Sequence, residues 1–123
     1  MTEPTASDST DDGQPTRKPV QLDDAADYDD LIATHDLVLL EFVTSGCGIC
    51  ASMEPVLGSV ARSAPGAVAT VNAGLVPDLA AEFDVRSVPT LVVLKEGEEV
   101  ARLDDGFQQA ETLVDLLETH AAR

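Results

Sequence analysis

The chain has 123 residues, room for one domain around a single core. Hydrophobic residues make up 44% and aromatics only 3%, so that core is expected to be built from Val, Leu and Ala. Asp and Glu number 23 against 7 Lys and Arg, a net charge of −16, which is the wrong sign for a nucleic-acid binder or for an anionic membrane surface.

Residues 1–18 are rich in Thr, Ser, Asp and Pro and are expected to form a disordered tail, leaving residues 19–123 as the folded domain. Val20-Gln21-Leu22 alternates and reads as a short strand, at a sheet edge because Pro19 precedes it. Asp23 or Asp24 caps a helix to about Thr34, with Tyr28, Leu31 and Ile32 on one face. Leu37 to Val43 is nearly all apolar, the pattern of a strand covered on both sides. A small-residue turn, Thr44-Ser45-Gly46, leads to a helix from Gly48 to Ala64 with Met53, Val56, Leu57 and Val60 at helical spacing. Val68 to Val71 is a second core strand, and Pro77 to Phe83 a short helix with Leu79 and Phe83 inward. Thr90 to Leu94 and Val100 to Leu103 read as a hairpin around Glu96-Gly97-Glu98. Gly106 breaks the chain before a last helix, Gln108 to about His120, with Leu113, Leu116 and Leu117 buried. Alternating strands and helices predict an α/β sheet covered on both faces, with three parallel strands and two antiparallel ones.

The N-terminus, Met1 to Gln14, has neither a positive start nor an apolar segment, and the run at 37–43 is too short to span a bilayer. A cytoplasmic location is therefore expected. There, two spaced cysteines point to catalysis or metal binding rather than to a structural staple. Acids spread along the whole chain, with Lys18 and Lys95 the only lysines, suit a high-salt cytoplasm, where repulsion is screened within a few Å; an ordinary acidic protein is the other reading.

The two cysteines stand as Cys47-Gly48-Ile49-Cys50, between a buried strand and a helix start. A thiol there faces unpaired backbone N–H groups and the positive end of the helix dipole, which stabilises its thiolate. A second thiol three residues on is placed to attack a mixed disulfide formed by the first. A structural pair or half of a metal site uses the same spacing, but zinc usually takes four ligands, and only His35 and His120 are further candidates. Glu41 interrupts the apolar strand. A buried, unpaired carboxylate is costly, so it is expected to titrate high or find a partner.

This order of elements, with Cys47-Gly48-Ile49-Cys50 after the central strand, Pro55 within the following helix, Val88-Pro89-Thr90 before the hairpin and Gly106 after it, resembles the thioredoxin family over residues 19–121. The resemblance implies a thioredoxin fold, a central mixed five-stranded sheet flanked by four helices. It also implies a thiol–disulfide oxidoreductase that reduces protein disulfides, with Cys47 attacking and Cys50 resolving. Glu41 stands where the family usually has an Asp that takes the resolving thiol's proton. A cis bond before Pro89 would turn the Val88 backbone toward an extended substrate segment. Gly46, Gly48, Ile49, Val88, Pro89 and Gly106 are the implied substrate contacts. No cofactor or metal is implied, since the dithiol carries the electrons. The implied partners are disulfide-containing proteins and a thioredoxin reductase or small-thiol reductant, with the chain acting as a monomer. The sequence departs from the family at Gly46, where Trp is common, at Ile49, where Pro is usual, and at Thr70, where a buried Lys is usual. A redox-inactive adaptor and a dimeric metal handler remain the alternative readings.

Overall fold

The structure, a computed structural model, describes residues 18–122. The expected tail, residues 1–18, therefore lies outside the described residues but for the exposed Lys18. The elements run β1 Val20–Leu22, α1 Ala25–Thr34, β2 Leu37–Val43, α2 Gly48–Ser63, β3 Ala67–Asn72, α3 Pro77–Glu82, β4 Thr90–Lys95, β5 Glu98–Leu103 and α4 Ala110–Ala121.

The sheet order is β1-β3-β2-β4-β5. β3 runs parallel to both β1 and β2, and β4 runs antiparallel to β2 and β5. This is the expected mixed five-stranded sheet with four helices, and the most apolar strand, β2, is its centre. Side chains alternate across the sheet, so β2 serves two cores. Val38, Leu40 and Phe42 pack with Tyr28 and Leu31 of α1 and with Leu79 of α3 and Phe83. Leu37 and Leu39 pack with Met53, Leu57 and Val60 of α2 and Leu113 and Leu117 of α4. Tyr28 and Phe42 both meet the Phe83 ring, at 5.9 and 5.5 Å between centroids, so three of the four aromatic rings form one cluster under α1 and α3.

Local chemistry sets the ends. Asp24 caps α1, its carboxylate accepting from the Asp27 N–H at 2.9 Å, while the Asp27 carboxylate accepts from the Asp23 N–H at 2.9 Å. His35 ends α1, its N–H donating to the Leu31 carbonyl at 2.9 Å, and His120 lies in the last turn of α4. The hairpin is tighter than expected: Glu96 and Gly97 both take positive φ, 54° and 81°, and Glu98 already pairs with Lys95. β5 thus begins two residues before the expected Val100. The last helix begins at Ala110 instead of Gln108, and Leu116 is half-buried at the core margin, not buried.

Candidate active site

β2 delivers the chain to one end of the sheet, where β4 begins and β3 and β5 end. The turn after it is anchored to β3's exit. The Ala73 N–H donates to the Val43 carbonyl at 2.7 Å, and the Asn72 side-chain amide donates to the Ser45 hydroxyl at 3.3 Å. Gly46 then adopts φ +79°, a left-handed conformation that side-chain-bearing residues seldom take. Cys47 follows as the N-cap of α2. Its Sγ accepts from the Cys50 N–H at 3.1 Å, so the sulfur occupies the capping position at the helix's positive end. Cys47 and Cys50 are joined in a disulfide with their Cα atoms 5.2 Å apart. Cys47 is half-buried and Cys50 buried, while Gly48 and Ile49 are exposed between them.

The Val88–Pro89 bond is cis, as expected. The Thr90 hydroxyl donates to the Ser87 carbonyl at 2.6 Å and braces that segment. Thr90 also pairs with Phe42, which sets Pro89 at the disulfide's end of the sheet. Gly106 has φ +103°, with open space where a Cβ would project. The loop it belongs to rests on α2, where the Gln108 N–H meets the Met53 sulfur at 3.5 Å. The adjoining Phe107 is 51% exposed, an apolar surface at this end that the sequence reading did not single out.

Glu41 lies on the α2 side of β2, between Thr70 of β3 and Leu91 of β4, with Gln21 of β1 beyond Thr70. It is 1% exposed, and its Oε2 is buried without a hydrogen-bond partner among the described residues. Burial, and then the Glu54 carboxylate, push its pKa up to about 7. Glu41 nevertheless borders a cleft of about 650 Å³ that reaches the disulfide, walled by Gln21, Thr70, Cys47, Cys50, Glu54 and Asn72 among others, with no basic side chain among the described residues that line it. Cys47, Cys50, Glu41, Gly46 and Gly48 share this cleft; Ile49, Val88, Pro89 and Gly106 do not line it. Glu54 was missed by the sequence reading. The signal was its spacing, four residues after Cys50 and thus on the same face of α2.

The family model for thioredoxin matches residues 19–119. The chain belongs to the thioredoxin family. A thioredoxin from Chlamydia pneumoniae is 33% identical over 103 residues, covering 83% of this chain and 99% of that protein. A thioredoxin from Staphylococcus saprophyticus is 35% identical over 97 residues, covering 77% of this chain and 91% of its own length. A match to thioredoxin-2 of Pyricularia oryzae spans only 47% of that longer protein. Among solved structures, a mutant thioredoxin from Halobacterium salinarum NRC-1 superposes with TM-score 0.81 at 34% identity, covering 86% of this chain and 92% of the other. With its paired cysteines at the head of α2, this thioredoxin-family chain is a thiol–disulfide oxidoreductase. Among the described residues there is no helix long and apolar enough to cross a membrane, and no group of three or more His, Cys, Asp or Glu that could hold a metal ion.

Proposed function

We propose that Cys47 is the thiol that attacks protein disulfides and Cys50 the thiol that resolves the mixed disulfide. The observation that carries this is the difference between the two sulfurs: Cys47 is half-buried at the helix N-terminus, Cys50 buried one turn inside. In the reduced protein the Cys47 thiolate gains the Cys50 N–H and the helix dipole, so it ionises more readily than an ordinary thiol. It attacks the target disulfide, expels one target thiolate and forms a mixed disulfide. Cys50 then gives its proton to Glu41 and attacks Cys47, releasing the second target sulfur. Two electrons pass to the target, and the Cys47–Cys50 disulfide remains.

Ile49, Val88, Pro89 and Gly106, with Gly46 and Gly48, form the surface against which an extended substrate segment lies, its backbone pairing with that of Val88. The chain works without cofactor or metal, as a monomer in the cytoplasm. Its disulfide is reduced again by a thioredoxin reductase or a small thiol, and its acidity suits a salty interior. The folded unit comprises residues 19–123, with residues 1–18 as a tail.

Insulin reduction tests the reading. Cys47→Ser is expected to abolish turnover, and Cys50→Ser to accumulate a covalent mixed disulfide visible by mass spectrometry. Equal rates for wild type and Cys47→Ser would remove the catalytic assignment and favour an adaptor.

A further inference from the structure

Beside the disulfide, the substrate surface proposed above shares only Gly46 and Gly48 with the cleft that Glu41 borders. That cleft has three properties that together describe a guest. Its volume, about 650 Å³, lies within the range of small-molecule sites and far exceeds that of a bare ion. It carries two carboxylates, Glu41 on β2 and Glu54 on α2, and among the described residues no Lys, Arg or His lines its wall. And Glu41, which lines this space, has an Oε2 that is buried with no hydrogen-bond donor among the described residues. An unsatisfied acceptor of this kind is costly unless something outside the fold supplies a proton-bearing group.

A metal ion fits poorly, because the described residues nowhere gather three or more His, Cys, Asp or Glu ligands. An ammonium, a compact charge with three N–H donors, fits better, bonding the buried Glu41 oxygen while Glu54 faces it from the helix. Glu54 follows Cys50 by one turn on the same face of α2, and its Cβ leans toward the helix N-terminus, hence toward the sulfurs. The polar side chains of Thr70 and Gln21 also line the cleft.

We propose that this cleft recognises small disulfides bearing a cationic amine, holding the ammonium between Glu41 and Glu54 while a substrate sulfur reaches Cys47. The inference rests on the assignment of Cys47 as the attacking thiol. The exchange is balanced. The Cys47 thiolate displaces one aminothiolate and forms a mixed disulfide. Cys50, giving up its proton, displaces the second, and the two aminothiolates take up the protons released by the dithiol. The protein's dithiol is oxidised, the small disulfide is reduced, and an added dithiol reductant restores the protein.

The test compares kcat/KM for cystamine (cationic), 2-hydroxyethyl disulfide (neutral) and 3,3′-dithiodipropionate (anionic), at pH 8 and in added salt that limits long-range attraction to a few Å. The expected cystamine preference over the neutral disulfide is about tenfold or more, the ratio that about 1.4 kcal/mol of net attraction produces, with the anionic disulfide slowest. Glu54→Gln is expected to reduce that preference about threefold or more, whereas Glu118→Gln, an exposed carboxylate at the far end of α4, leaves it in place. No preference in wild type, with insulin still reduced, would overturn this inference alone. Equal losses in both variants would assign the preference to overall charge and overturn it too. Failure to reduce insulin or any of the three disulfides would overturn the attacking-thiol assignment, and this inference with it.

Discussion

Replacing Glu41 with Gln is the most informative single change to the interior. The carboxyl is buried, its Oε2 is unpaired, and burial with the nearby Glu54 charge lifts its pKa from the ordinary 4.5 to about 7. Because the folded state holds this proton more tightly than the unfolded chain, the group imposes no penalty below pH 4.5. Its penalty grows between 4.5 and 7, and it is fully present above pH 7. At about 1.4 kcal/mol per tenfold change, the full penalty is about 3 kcal/mol. Glutamine mimics the protonated side chain in size and charge. The Glu41→Gln protein should therefore match wild type near pH 4.5 and exceed it by about 3 kcal/mol at pH 8. Urea titration reports this without adding salt; with a slope of about 1.5 kcal/mol/M, the midpoint of the variant should lie about 2 M higher at pH 8. All other titrating groups are common to both proteins and cancel in the difference. Parallel stability curves across this pH range would show that Glu41 stays ionised and solvated in the fold, and the reasoning from its burial would fail.

Gly66→Ala should cost about 2–4 kcal/mol in the same titration, since φ is +92° and the added methyl would lie 2.6 Å from the Leu37 carbonyl oxygen. Asp24→Ala removes the cap of α1 and should cost about 1 kcal/mol, read as a small drop in urea midpoint with unchanged slope. Phe42→Ala, at a fully buried position near the end of β2, should cost about 3–5 kcal/mol and loosen the Phe83 ring, measurable as a loss of near-ultraviolet circular dichroism.

Most of the architecture was legible because its signals are local. The unbroken apolar run 37–43 announced the central strand, Pro19 placed β1 at an edge, and Asp24 marked the start of α1. The start of β5 was not legible, because Glu98 and Glu99 look like turn residues. Their strand conformation follows from two successive left-handed residues, which let the chain reverse in two positions. At the site, the cysteine pair, Pro89 and the oddity of Glu41 all stood out in one dimension. What surrounds Glu41 did not. That Thr70 and Gln21 fall in line beside it is a matter of strand register, and that Glu54 faces it depends on how α2 lies on the sheet. The left-handed backbone at Gly46 was equally hidden. An indole at that position would add side-chain strain to a φ of +79°, so the glycine and this backbone conformation go together.

The disulfide spans a sequence separation of only three, inside the first turn of a helix that the rest of the fold already holds. Cross-linking so short a loop restrains the unfolded chain little, on the order of 2 kcal/mol in the chain-entropy account. The two cores under the sheet contain the bulk of the buried apolar surface, and neither is bridged by this bond. Opening and closing it is thus a change at the rim of a scaffold that persists throughout, so the molecule can be oxidised and reduced repeatedly without refolding between turnovers.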